Sequence, residues 1–173
     1  MRKRIVGISF LVGLVAVGVT VAGLNRNWSA HLNGDQEVPT RDTRAQGQAI
    51  FHLSQDGSEL EYKLIASNID NAFMAHIHLE RPGANGPIVV WLYPSTAPSP
   101  GPLGAGRHDG VLAEGTITAA NLTGPLAGRP LSGLVAALDD GRAYVNVHTN
   151  DGVAPTNTGP GDFPGGEIRA DLR

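Results

Sequence analysis

The sequence predicts an all-β domain. The expected architecture is an antiparallel immunoglobulin-like or superoxide-dismutase-like sandwich, or a Greek-key barrel, of seven or eight short strands with one short helix near 132–138. Three observations predict it. Side chains alternate over short runs: Ala49, Phe51 and Leu53 fall on one face and Gln48, Ile50 and His52 on the other, the period of a strand with one face buried. Turn formers interrupt these runs at short intervals, among them Asn33-Gly34-Asp35, Asp56-Gly57 and Asn85-Gly86-Pro87. Gly 23 and Pro 12 in 173 residues suit a chain of many turns and disfavour long helices.

The elements follow in order. Residues 1–24 differ from the rest. Arg2, Lys3 and Arg4 precede an uncharged apolar run from Ile5 to Ala22, with small residues at Thr20-Val21-Ala22-Gly23. That layout is expected of a secretory signal peptide. The run is also close to the ~20 residues a membrane helix needs, so an uncleaved anchor is the alternative. Either way residues 25–173, one domain's worth of chain, are expected outside the cytoplasmic membrane, secreted, periplasmic or at the cell surface. Trp28 to Leu32 reads as a first strand, and Gly47 to Ser54 and Leu60 to Ile65 as a hairpin around Asp56-Gly57. A turn is expected at Asn68 to Asn71, then strands at Phe73 to Leu79 and Pro87 to Leu92. Pro94 to Gly110 is rich in Pro and Gly and reads as irregular. Val111 to Thr118 returns to strand. Leu131, Leu134, Val135 and Leu138 stand at helical spacing, with Ser132 expected as the cap. Ala143 to Thr149 and Glu167 to Leu172 are strands, separated by a second long loop over 150–166.

Charge and composition exclude several functions. The whole chain carries net −3, and without Arg2, Lys3 and Arg4 the remainder is more acidic still. Nucleic acid needs a basic face, and anionic membrane surfaces repel an acidic one. A membrane contact is therefore expected only through an uncleaved N-terminal segment. With no Cys there is no disulfide, thiolate metal site or Cys nucleophile. No G-x-S-x-G elbow and no phosphate loop occurs, so no motif marks an enzyme of those classes.

The chemistry concentrates on three strands. In 73–80, His76 and His78 share a face. In 144–149, Val145 and Val147 take the apolar face, which leaves Tyr144, Asn146 and His148 opposite. In 166–172, Ile168, Ala170 and Leu172 are apolar, leaving Glu167, Arg169 and Asp171 opposite. If the three strands are neighbours, three imidazoles converge on the outside of the barrel. Such a set suits Zn(II) or Cu(II). Glu167 and Asn146 then stand where a group orienting a ligand would, and Arg169 where a fork of donors would hold a small anion. His108, in the Pro/Gly loop, is a further ligand if that loop swings in. A hydrogen-bonded polar cluster without metal is equally open. Asp35 and Glu37 read as ordinary loop polarity, and Trp28 and Trp91 as core or rim.

Four stretches resemble successive signatures of one family. They are Leu32-Asn33-Gly34-Asp35-Gln36-Glu37-Val38-Pro39, Ala75-His76-Ile77-His78 through Asn85-Gly86-Pro87-Ile88-Val89, Tyr144-Val145-Asn146-Val147-His148-Thr149, and Pro164-Gly165-Gly166-Glu167-Ile168-Arg169. In that order they resemble the CHRD (chordin-type) domain from about Trp28 to Leu172. The resemblance implies an exported β-barrel or sandwich whose biochemical role in microbes is undefined, and leaves an extracellular protein or matrix as a class of partner. A departure is Leu79-Glu80, where the family often has Gly after the second His. The order of parts is also similar to copper–zinc superoxide dismutase. That likeness implies His76, His78 and His148 as metal ligands and Arg169 as the attractor of superoxide. This chain lacks that family's Cys pair and its His/Asp zinc cluster.

Overall fold

The computed structural model describes residues 26–95 and 99–172. The proposed signal peptide or anchor over 1–24 lies outside them. Eight antiparallel strands form one sheet: β1 (Asn27–Asn33), β2 (Gln46–Leu53), β3 (Leu60–Asp70), β4 (Ala72–Leu79), β5 (Ile88–Tyr93), β6 (Arg107–Ile117), β7 (Ala143–Thr149) and β8 (Ile168–Leu172). One short helix, α1 (Ser132–Asp139), precedes β7. The strand order is β5-β4-β7-β8-β1-β2-β3-β6. β1, β2 and β3 form a meander. β7 lies beside β4, and β6 beside β3, through Greek-key crossovers. The sheet curls until the outer strands β5 and β6 come into contact, and the Tyr62 hydroxyl donates to Leu92 O at 2.8 Å between β3 and β5. The result is a nearly closed barrel, as the alternation predicts.

The barrel interior is the hydrophobic core. Leu32, Ala49, Phe51, Leu64, Ile77, Leu92, Val145, Val147, Ile168 and Ala170 point into it, each on the inward phase of its strand. Leu134, Leu138 and Leu131 from α1 and its approach join the same cluster. Each buried Leu or Ile of this kind stabilises the fold by ~1.5–3 kcal/mol through the area it removes from water.

Three expectations are corrected. β6 starts at Arg107, inside the stretch expected to be irregular, because β3 runs on to Asp70 and supplies pairing partners for Arg107, His108 and Gly110. A register shift between Ala66 and Ile69 absorbs the Pro/Gly-rich composition. The expected turn at 68–71 shrinks to Asn71, whose φ of 55° makes the corner between β3 and β4. Ser132 is the first helical residue, not the cap; Leu131 holds the cap position without a side-chain hydrogen bond.

The face opposite the core differs from expectation in a way that matters. β7 is buried along its whole length, on both faces. The outer face of β4, β7 and β8 is covered by the segments 34–43, 81–87 and 159–166. The polar residues predicted for the outside of the barrel are therefore outside the core and yet shielded from water.

Candidate metal centre

Register brings the three strands together. His76 pairs across from Asn146, His78 from Tyr144, and Met74 from His148 on β4 and β7. On β8, Arg169 pairs across from Asn146, and Asp171 from Tyr144. Asn146 thus stands at the middle of the group, flanked along its own strand by Tyr144 and His148.

His76, His78 and His148 form one buried group in which one ring nitrogen from each lies within 4.8 Å of the others. Backbone carbonyls fix two of the tautomers. His78 Nδ1 donates to Gly86 O at 2.9 Å, and His148 Nδ1 donates to Pro164 O at 2.9 Å. A carbonyl only accepts, so each of these rings carries its proton on Nδ1 and presents a lone pair at Nε2. His76 Nδ1 lies 3.1 Å from His148 Nε2. Two nitrogens at ~2.0–2.1 Å from a tetrahedral ion are about 3.3 Å apart, so this pair is close to the spacing a shared ion requires. His78 Nε2 and His76 Nε2 are buried without any hydrogen-bond partner. By donor chemistry and spacing, the group could hold a metal ion.

The rings are braced from several sides. Trp91 meets His76 edge-on at 4.3 Å. Tyr144 stacks on His78 at 4.7 Å with 6° between planes. The Arg169 guanidinium caps the other side of Tyr144, 3.5 Å from its ring centroid. The Tyr144 hydroxyl accepts from Gly86 N at 3.1 Å, which ties the 81–87 turn to the same stack. Gly86 is obligatory there, because a Cβ would overlap the Leu79 carbonyl.

Burial sets the protonation. His76 is pushed down to about 2, first by burial and then by the charges His148 and His78 would carry. His148 is pushed down to about 4, chiefly by burial. His78 is lowered by burial too. All three are neutral at pH 7, the form that binds metal.

The remaining sequence-selected residues take defined places. Arg169, fully buried, directs Nε and Nη2 to Asp171 and Nη1 to Ala84 O and Asn85, so its fork is largely spent on the protein itself. Glu167 accepts from the hydroxyls of Thr43 and Thr149 at 2.6 Å each and from Gly161 N at 2.8 Å. It touches no imidazole. It holds the 159–166 segment, which delivers the Pro164 carbonyl to His148. His108 sits on β6 opposite Ile69 and is not in the three-His group.

Glu37 is a buried carboxyl near the group that sequence reasoning missed. Read as loop polarity, it is 4% exposed. Burial raises its carboxyl to about 7, against the lowering influence of Arg169 and Arg41. Asn146 lies beside it and also beside His78. No local signal foretells this; only its place within a family-like stretch marks it.

The CHRD domain family model matches residues 28–172, and the chain belongs to this family. No curated protein and no solved structure matches it.

Proposed function

We propose that this chain is an extracytoplasmic CHRD module that binds one copper or zinc ion through His76, His78 and His148. The observation that carries the reading is the buried, neutral three-imidazole group. Two of its rings are held by carbonyls with their Nε2 lone pairs directed away from those bonds. His148 Nε2 faces His76 Nδ1 at 3.1 Å, whereas a purely structural cluster would also close the buried His78 Nε2 and His76 Nε2 with partners, and here neither has one. The basic and apolar start of the chain supports export. When bound, the ion would supply Lewis acidity or, if copper, a redox couple.

Elemental analysis of protein expressed without an affinity tag, in medium containing copper and zinc, tests the reading. About one equivalent of copper or zinc is expected, falling to background in His148→Ala. Metal content below a tenth of an equivalent, or full content in His148→Ala, overturns it. If copper is found, superoxide turnover above that of free copper would extend the reading to a dismutase-like enzyme. A metal-free interaction module is the second reading. It is favoured by Leu103 and Val153, 52% and 64% exposed in the two long loops.

A further inference from the structure

We propose that Glu37 and Asn146 hold a solvent molecule against the three-His group, so that the bound ion keeps an exchangeable position and the centre is open, not sealed. This rests on the metal reading above and deepens it.

Unmatched acceptors point to it. Asn146 Oδ1 and Glu37 Oε1 are both buried and without a hydrogen-bond donor. An ion held by the three imidazole nitrogens alone gives neither oxygen a hydrogen-bond donor. Each needs an O–H or N–H. A water molecule bound to an ion directs its lone pair at the metal and its two protons outward. Two acceptors beside one metal position match those two protons. Asn146 pairs across from His76, and its side chain lies beside both His78 and Glu37, so it links the carboxyl to the group.

The backbone is shaped around the carboxyl. Gly166, at φ 124°, faces it so closely that a Cβ there would lie 2.5 Å from Glu37 Oε1 and 2.8 Å from Cδ. A side chain at 166 is excluded by both the dihedral and the space. Glu37 lines a cleft of about 460 Å³ together with Asp35, Gln36, Pro39, Gly83 and Asp171. A sealed structural centre, with four protein ligands, would have no use for an unpartnered carboxyl between it and a cleft. An open centre takes small exogenous molecules at the solvent position: water, hydroxide, or small anions such as azide.

The copper(II)-loaded full chain tests this by water-proton relaxation and by azide titration of the visible spectrum. Wild type is expected to show inner-sphere relaxation enhancement and a saturable azide band. Glu37→Met should keep one copper per chain yet bind azide about tenfold more tightly, because the hydrogen bond that holds the displaced water is gone. Glu37→Gln, which retains one acceptor oxygen, should fall between. A copper protein with only outer-sphere relaxation and no azide response overturns the inference and leaves the metal site standing. Unchanged azide affinity in Glu37→Met does the same. Failure of wild type to take up stoichiometric copper or zinc overturns both readings.

Discussion

Replacing Glu37 by Gln should stabilise the metal-free protein, and by an amount that depends on pH. The carboxyl titrates near 7 in the folded state against an ordinary value of 4.5. Between those values the folded chain holds a proton that the unfolded chain has lost, so this group's contribution to stability falls as pH rises. Above pH 7 the charged carboxylate is fully penalised, at about 1.4 kcal/mol for each tenfold difference in proton affinity between the folded and unfolded chain. The difference amounts to about 3 kcal/mol at pH 8 and about 1 kcal/mol at pH 5. Gln is isosteric and keeps an acceptor, so little else changes at the site. Urea denaturation of both proteins with a chelator present, at pH 5, 6.5 and 8, measures the gap. The expected gap widens by about 2 kcal/mol from pH 5 to pH 8. A constant gap would show that Glu37 is not held protonated by burial. A gap that narrows would reverse the argument, making Glu37 a stabilising ion-pair partner of Arg169 or Arg41. A stability gain with altered azide binding would mark Glu37 as a residue kept for the site at the expense of the fold.

Other outcomes follow from the same geometry. In the Glu37→Gln background, the metal-free protein should lose stability as pH falls below about 6.5, because the unfolded chain then protonates His76 and His148 while the folded chain does not. The loss by pH 5 should be about 4 kcal/mol from the two together, seen as a drop in urea midpoint that is reduced in His76→Asn. Gly86→Ala should destabilise by roughly 1–3 kcal/mol through overpacking against the Leu79 carbonyl. It should also weaken metal affinity ~10–100-fold by disturbing the His78 Nδ1 bond, as read by competition with a chromophoric chelator. Arg169→Leu should cost about 3 kcal/mol or more, since Asp171 loses its partner in a largely buried pair; thermal denaturation checks it. Ile77→Ala, on the inner face of the same strand as His76 and His78, should cost about 2–5 kcal/mol while leaving metal stoichiometry at one per chain.

Much of this protein was legible from residue order alone. Alternation together with turn signals marked a strand at each of the eight places, though β6 starts earlier than expected, because a period of two is written into a strand with one apolar face. The same alternation put His76 with His78, Asn146 with His148, and Glu167 with Arg169 on one phase. The successive motifs placed the chain in the CHRD family, and helical spacing located α1 to within a residue. What alternation could not supply was anything decided by contacts between distant segments. Strand order is one such property: β4 beside β7 joins residues about seventy positions apart, and that pairing turns a His-x-His motif into a three-ring group. Burial of the polar face is another. Its residues obey the pattern of an exposed face, and only the loops folding over them, tied down by Gly86, Arg169 and Glu167, remove the water. The start of β6 and the burial of Glu37 were hidden for the same reason: a Pro/Gly-rich run and a charged loop residue carry no local sign of the partner that will pair with or cover them. The sequence by itself determined which side chains face away from the core. Tertiary structure decided that they face each other, because desolvation and ring-to-ring distance are set by chain segments far apart in sequence.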